Sequence, residues 1–502
     1  MITPMKWDLL QALEDTLIDF VRQTAARWTE RLYWAVSLSR KKWLRETQLL
    51  EEECGKFRAD FLWLGSKPSE FINRAAKEVV QIIDKYDRNN GLHLTTTADK
   101  EIHKHICRCM LEAALFPTIT DWHIKNDTSE FTKELMVLLF PCLPNMKCLR
   151  VAEDMPSRCS WLLANNIRML NHLQEFYFPI GCSRHVLIEL GKHCKQLKRL
   201  SVMSSKHVDD SSVNHLLKLR NLVFLNVDGT HVTPKGYSRL LCNLPKLRNI
   251  TWANRVDDVL LNITKDEIQT VKSLIGTVRN ALTIVLKCPF ITHLSLFAVK
   301  DNLSDLKELN AVTEFTLVDC DSDIGNLAEV LHGIGPKLKE LDLSNVTNVS
   351  IRDVTKCCTH LEILSLDCCK FTQSGEKPFD PQLPHFQNLA SLELRANRWY
   401  GDFHSYLRSY VNLKVLTARC IPDLDDVAVV SVLQSNGFQN LKEFSAQDCG
   451  FLSMISVSLL VENCGNLHLL KGVGTWSGIQ KEDMPEVYRK ASYADVPITV
   501  VP

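Results

Sequence analysis

The stretch Cys358-Thr-His-Leu361-Glu-Ile-Leu364-Ser-Leu366-Asp-Cys-Cys369 decides the reading of this chain. Its centre is a hydrophobic residue, two variable ones, a hydrophobic residue, one variable, and another hydrophobic. The phrase recurs as Leu338-Lys-Glu-Leu341-Asp-Leu343 and begins again at Leu197, Leu222, Leu389 and Leu413. Looser copies begin at Ile119, Met146, Leu173, Leu247, Ile291, Val312, Leu441 and Leu467, which makes about 14 registers. Neighbours stand 21 to 28 residues apart, save one step of 44 between Leu247 and Ile291. A self-similar period of about 20–29 residues predicts a leucine-rich-repeat solenoid. Each phrase should be a short strand with its leucines inward and its variable residues on the concave face. The return segment should be helical, as in residues 207–217, where Val213, Leu216 and Leu217 share one side.

Working outward, the 502 residues exceed the usual single-domain size, which a solenoid escapes because each repeat packs only on its neighbours. The solenoid is expected over 116–472. A helical region should precede it at 1–115, where Leu9, Leu10, Leu13, Leu17, Phe20 and Val21 follow helical spacing. Further helices are expected from Ser69 and from Thr97, beyond a break at Gly65 to Pro68 and a turn at Asn89-Asn90-Gly91. Residues 473–502 read as a C-terminal cap or tail. Within the long step, 253–290 is an insertion or a degenerate repeat. Thr264-Lys-Asp-Glu267 forms a capping box there, and Ile268, Val271, Leu274, Ile275 and Val278 follow helical spacing.

Composition excludes several classes. The chain is 45% hydrophobic and 24% charged, with formal net charge +0. Neutrality gives no argument for nucleic acid. No apolar run reaches about 18 residues, so no membrane span is expected. Lys6 and Asp8 fall where a secretory signal would need an apolar core. Many of the 18 cysteines are locked to the repeat phase. Cys194, Cys288, Cys358 and Cys464 precede a phrase by three residues; Cys320, Cys369 and Cys449 follow one by three. Such a slot suits a small buried free thiol, and a reducing compartment, cytoplasm or nucleus, is the expected place for it.

The fuller phrase, cysteine, Leu-x-x-Leu-x-Leu, cysteine, polar-capped helix, resembles the cysteine-containing repeats of the F-box/leucine-rich-repeat proteins. The resemblance covers roughly 116–472. It implies a ribonuclease-inhibitor-like arc and a substrate-receptor subunit of a cullin-RING ubiquitin ligase, with the target on the concave face. It also implies a cullin adaptor on residues 1–115. The family's F-box begins with Leu-Pro, and that dipeptide is missing from residues 1–115. Leu50-Glu-Glu-Glu-Cys54 supplies the middle of an elongin-type adaptor helix but places Arg58 where a hydrophobic residue belongs. The alternative is a stand-alone repeat scaffold or inhibitor.

No enzyme and no cofactor is expected. There is neither a phosphate-cradling glycine loop nor a Gly-x-Ser-x-Gly elbow. His103-x-His105-x-Cys107-x-Cys109 would lie on two faces of one helix, so four ligands could not converge on one zinc. Arg40-Lys-Lys42 and Arg45 are balanced by Glu51 to Glu53 and read as a solvated face. The remaining signal is the concave face. Lys198 and Arg199 make it basic early; Glu314, Asp319, Glu340, Asp342, Glu362, Asp367 and Glu393 make its middle acidic. That trough suits a basic protein segment. Trp399 and Tyr400, beyond a strand, are candidate binding aromatics.

Overall fold

In the computed structural model the described residues are 18–27, 56, 69–90, 97–264, 268–372, 386–397, 407–408, 410, 412–435, 438–493 and 498–501. The expectations placed on Thr264 to Glu267, on Leu50 to Cys54, on the basic residues 40–45 and on Trp399 and Tyr400 lie wholly or mostly outside them. The chain divides into two compact units, Met1–Leu247 and Arg248–Pro502.

The first unit starts with helices. Residues 18–27 are helical. Helix α1 (Ser69–Asn90) buries Phe71, Ile72, Ala75, Ala76, Val79 and Ile83, a stripe at helical spacing. Helix α2 (Thr97–Ala114) packs on α1 and also touches helix α3 (Glu130–Leu138). Two carboxylates of α1 fix it to the start of α3: Asp84 accepts the Ser129 backbone N–H at 2.6 Å, and Asp87 accepts the Ser129 hydroxyl at 2.7 Å. Ser129 in turn caps α3 by accepting the Thr132 N–H.

A five-stranded parallel sheet follows in strict sequence order: β1 (Asp121–His123), β2 (Cys148–Arg150), β3 (Glu175–Tyr177), β4 (Arg199–Ser201) and β5 (Phe224–Asn226). The second unit is an eleven-stranded parallel sheet, also in sequence order. Its strands are β6 (Asn249–Arg255), β7 (Ser273–Thr277), β8 (His293–Phe297), β9 (Glu314–Asp321), β10 (Glu340–Thr347) and β11 (Ile363–Asp367). They continue with β12 (Ser391–Arg395), β13 (Val415–Arg419), β14 (Glu443–Gln447), β15 (Leu469–Lys471) and β16 (Thr499–Val501). Most described returns pass through a short helix, such as Pro234–Asn243, Ile351–Cys357 and Met454–Asn463.

The phrase explains the register. Leu341 and Leu343 stand opposite Leu364 and Leu366, which stand opposite Leu392 and Leu394, and all six are buried. Fully burying such a side chain contributes about 1.5–3 kcal/mol, and every turn repeats the gain. The residues between them, Asp342, Ser365 and Glu393, form a row on the opposite face. Two residues past the last hydrophobic one, the backbone turns left-handed in turn after turn, at Ala298, Asp319, Asn345, Cys368, Ala396, Cys420 and Asp448. The next residue dives back into the core. Cys369 sits there fully buried, its Sγ donating to the Leu343 carbonyl at 3.2 Å.

Two local readings change. Residues 268–278 do not continue as a helix; Ser273–Thr277 is strand β7, paired to β6 and β8. Leu274, Gly276 and Val278 are buried alternately with partly exposed neighbours, a period of two that a short apolar window also satisfies. Cys449 is half-buried rather than a core residue, unlike Cys320 and Cys369.

Candidate functional site

Two open sheet faces carry the charged residues. On the second unit, one row across the strands reads His293, Glu314, Glu340, Ile363; the next reads Thr316, Asp342, Ser365, Glu393; a third reads Ser344, Asp367, Arg395. The structure therefore brings Glu314, Glu340, Asp342, Asp367 and Glu393 onto one face. Glu314 and Glu340 stand directly opposite each other, a like-charge pairing that costs sheet stability.

The electrostatics record the crowding. Partial burial raises the Glu340 carboxyl above the usual range, and the charges of Glu314 and Asp342 raise it further. Asp342 is raised by burial and by Asp367, against the lowering effect of the Ser365 hydroxyl. Only part of the acid is answered locally. His293 Nε2 lies 2.7 Å from Glu314 Oε1, and Lys339 Nζ lies 3.0 Å from Glu362. Arg395 Nε is 3.9 Å from Asp367, too long for a hydrogen bond. Among the described residues Glu393 has no ion-pair partner.

Two of the sequence candidates sit apart from these rows. Glu362 lies at the entry of β11, one residue before the ladder begins. Asp319 occupies the left-handed turn position and accepts a hydrogen bond from the Asn345 side chain at 2.6 Å. Of the large aromatics near the strand ends, Trp252 is buried, whereas Phe297 ends β8 half-exposed in the third row.

Lys198 and Arg199 belong to the first unit: Arg199 stands on the open face of β4 opposite Glu175, and Lys198 lies at the entry of β4, one residue before the ladder, as Glu362 does in β11. There Arg199 Nε donates to the Tyr177 hydroxyl at 3.0 Å, and its guanidinium lies 4.6 Å from the Phe224 ring centroid. Arg150 lies 5.4 Å from the Tyr177 centroid and pairs with Asp121 at 3.2 Å. Arg150, Tyr177 and Phe224 were not among the sequence candidates. They fill the same variable slots as the acids of later repeats, in the phrases beginning at Met146, Leu173 and Leu222.

The His103 to Cys109 quartet does split into two faces. Cys107 Sγ is 3.8 Å from His103 Nε2, and Cys109 Sγ is 3.6 Å from His105 Nε2. No group of three or more metal-ligating side chains converges among the described residues. No described helix is long and apolar enough to cross a membrane.

No family model matches the chain, and no curated protein matches it. Solved structures do. The yeast Rad7–Elc1 complex is similar over 68% of this chain and 86% of that one, at 15% identity and a TM-score of 0.39. The plant peptide hormone receptor RGFR1 in complex with RGF2 matches 72% of this chain and 61% of its own, at 13% identity and a TM-score of 0.30. The Drosophila Toll–Spatzle complex matches 72% of this chain and 47% of its own, at 13% identity and a TM-score of 0.36. Likenesses this distant decide nothing about function, and the fold rests on the strand order and registers above.

Proposed function

We propose that the chain is a leucine-rich-repeat recognition protein that performs no catalysis and holds a basic segment of a protein partner on the sheet face of its second unit. The observation that carries this reading is the cluster of Glu314, Glu340, Asp342, Asp367 and Glu393 on one open face, with Glu340 and Asp342 held above the usual carboxylate range by burial and by neighbouring carboxylates. A lysine or arginine side chain laid across these rows would relieve that repulsion, which gives both steering and register to a cationic partner.

Helices α1 and α2 bear on what the recognition serves. Both pack against α3, with Asp84 and Asp87 committed to its cap. That packing supports a cap over the first repeat, and so a stand-alone scaffold or inhibitor. A substrate receptor of a cullin-RING ubiquitin ligase is the second reading, and the cysteine-phased repeat is what supports it.

A lysine-rich peptide titrated onto the full chain should bind, and more weakly as salt rises. Glu340→Lys should weaken that binding about tenfold or more. A variant that binds as tightly as the parent would remove the acidic face from consideration. For the ligase role, full-length chain and a form lacking residues 1–115 are compared for co-purifying cullin adaptors. Adaptors absent from the full-length sample exclude it.

A further inference from the structure

The first unit's sheet sets the cations Arg150 and Arg199 among the acids Asp121 and Glu175, and its arginines are held in place rather than merely exposed. Arg199 is tied to Tyr177 by the hydrogen bond from its Nε and lies over the Phe224 ring, while Arg150 lies over the other side of the strip. A guanidinium held this way loses little side-chain freedom on binding a carboxylate. Arg199 and Lys198 are both exposed, and among the described residues neither pairs with a carboxylate.

Further along the same strands lies exposed hydrocarbon. At the far ends of β3 and β4, Ile180 is 51% exposed and Met203 is 38% exposed, and they are neighbours, since the Ile180 N–H donates to the Met203 carbonyl at 2.8 Å. Ile180 occupies the left-handed turn position at φ 63, where a β-branched side chain is strained. Later turns place Ser, Gly, Asp, Asn, Cys or Ala there. An isoleucine kept outward at a conformational cost fits a surface whose hydrocarbon is covered by something else.

We propose that this face binds an acidic peptide segment of a protein partner, with carboxylates on Arg199 and Lys198 and an adjoining apolar side chain on Ile180 and Met203. This surface lies on the first unit and stands independently of the basic-segment reading of the second. A single-stranded nucleic acid is the competing ligand. It is disfavoured because bases need open aromatic faces, and Arg150 and Arg199 already lie on those of Tyr177 and Phe224.

The test is fluorescence anisotropy on the full chain with three probes: a labelled peptide alternating glutamate with leucine, the same peptide with serine for leucine, and an oligothymidine. The Glu/Leu peptide should bind tightest. Arg199→Glu and Lys198→Glu should each weaken it by about tenfold or more, as expected for truncating or reversing an interfacial charge. Ile180→Asn, which suits the left-handed turn, should weaken the leucine peptide and not the serine one. Glu340→Lys should leave all three unchanged. Circular dichroism and the melting temperature report whether each variant is folded; the exposed Lys198 keeps the test informative should Arg199→Glu misfold. No binding of the Glu/Leu peptide, equal binding by the folded charge variants, or tighter binding of oligothymidine would each overturn the proposal.

Discussion

Asn397 shows how a single slot holds successive turns together. It is 2% exposed and lies three residues past Leu394, where other turns place cysteine. Its Nδ2 donates to the Leu366 carbonyl and its Oδ1 accepts the Cys369 N–H, both at 2.8 Å. Cys369 performs the first of these tasks one turn earlier, by way of its thiol. Asn397→Ala should therefore leave a buried carbonyl and a buried N–H unanswered and cost about 2–4 kcal/mol, read as a lowered melting temperature. Asn397→Cys restores one of the two bonds and should cost clearly less. Equal losses would mean that the slot is filled for volume alone. The chemistry of this slot was legible only in part. Its cysteines stand out by spacing, but an asparagine in the same phase reads as an ordinary surface residue until the backbone is seen to dive inward there.

At the scale of elements, the α1–α2–α3 cluster carries a buried titratable contact. His103 of α2 is 3% exposed; its Nε2 lies 3.0 Å from Asp87 Oδ1 of α1, and its ring is 4.8 Å from Phe131 of α3. Burial pulls its pKa from 6.5 down to about 4. The unfolded chain thus takes up a proton that the folded chain refuses once the pH drops below about 6.5, and the stability difference grows until about pH 4, to roughly 3 kcal/mol. Burial also raises Asp87, which works in the opposite direction in acid. The first unit should lose melting temperature between pH 7 and pH 5, and His103→Gln should flatten that slope. Parallel slopes in parent and variant would place the titration elsewhere. The sequence foretold helices from Ser69 and Thr97 through their apolar spacing, yet not this contact, because three separate segments supply it. Strand β7 escaped for a different reason. Its phrase is Val271-Lys-Ser-Leu274-Ile-Gly276, and the third hydrophobic slot holds glycine. A side chain there would meet the Trp252 carbonyl at 2.3 Å, so the close approach of β6 explains both the glycine and the unmarked repeat.

Across the whole molecule, thiol chemistry reports the repeat architecture. Cys194, Cys288, Cys358 and Cys464 are buried, which pushes each up to about 12. A buried, protonated thiol is a poor nucleophile. Of the described cysteines only Cys368 and Cys420 are exposed, both at the left-handed turn position. Brief iodoacetamide treatment of the folded protein should alkylate these two first among the described cysteines, as followed by mass spectrometry; early labelling of Cys194 or Cys358 would contradict the packing. The charged rows were readable in advance for the acids, since long strands with strong leucines fix which residues face out. The first unit's strip was harder to read, because its strands are three residues long and its phrases are built from Met146, Val151 and Phe176 as much as from leucine.

The strict sequence order of both sheets also governs how the protein bears mechanical load. Each strand is bonded only to the turn before it and the turn after it. A pull on the outermost strand β16 meets one ladder at a time rather than the whole stack at once. Tension would be released in separate slips, each freeing one turn of about 25 residues, or roughly 80–90 Å of chain. A stack of this build would lengthen stepwise, while the turns still closed keep their faces.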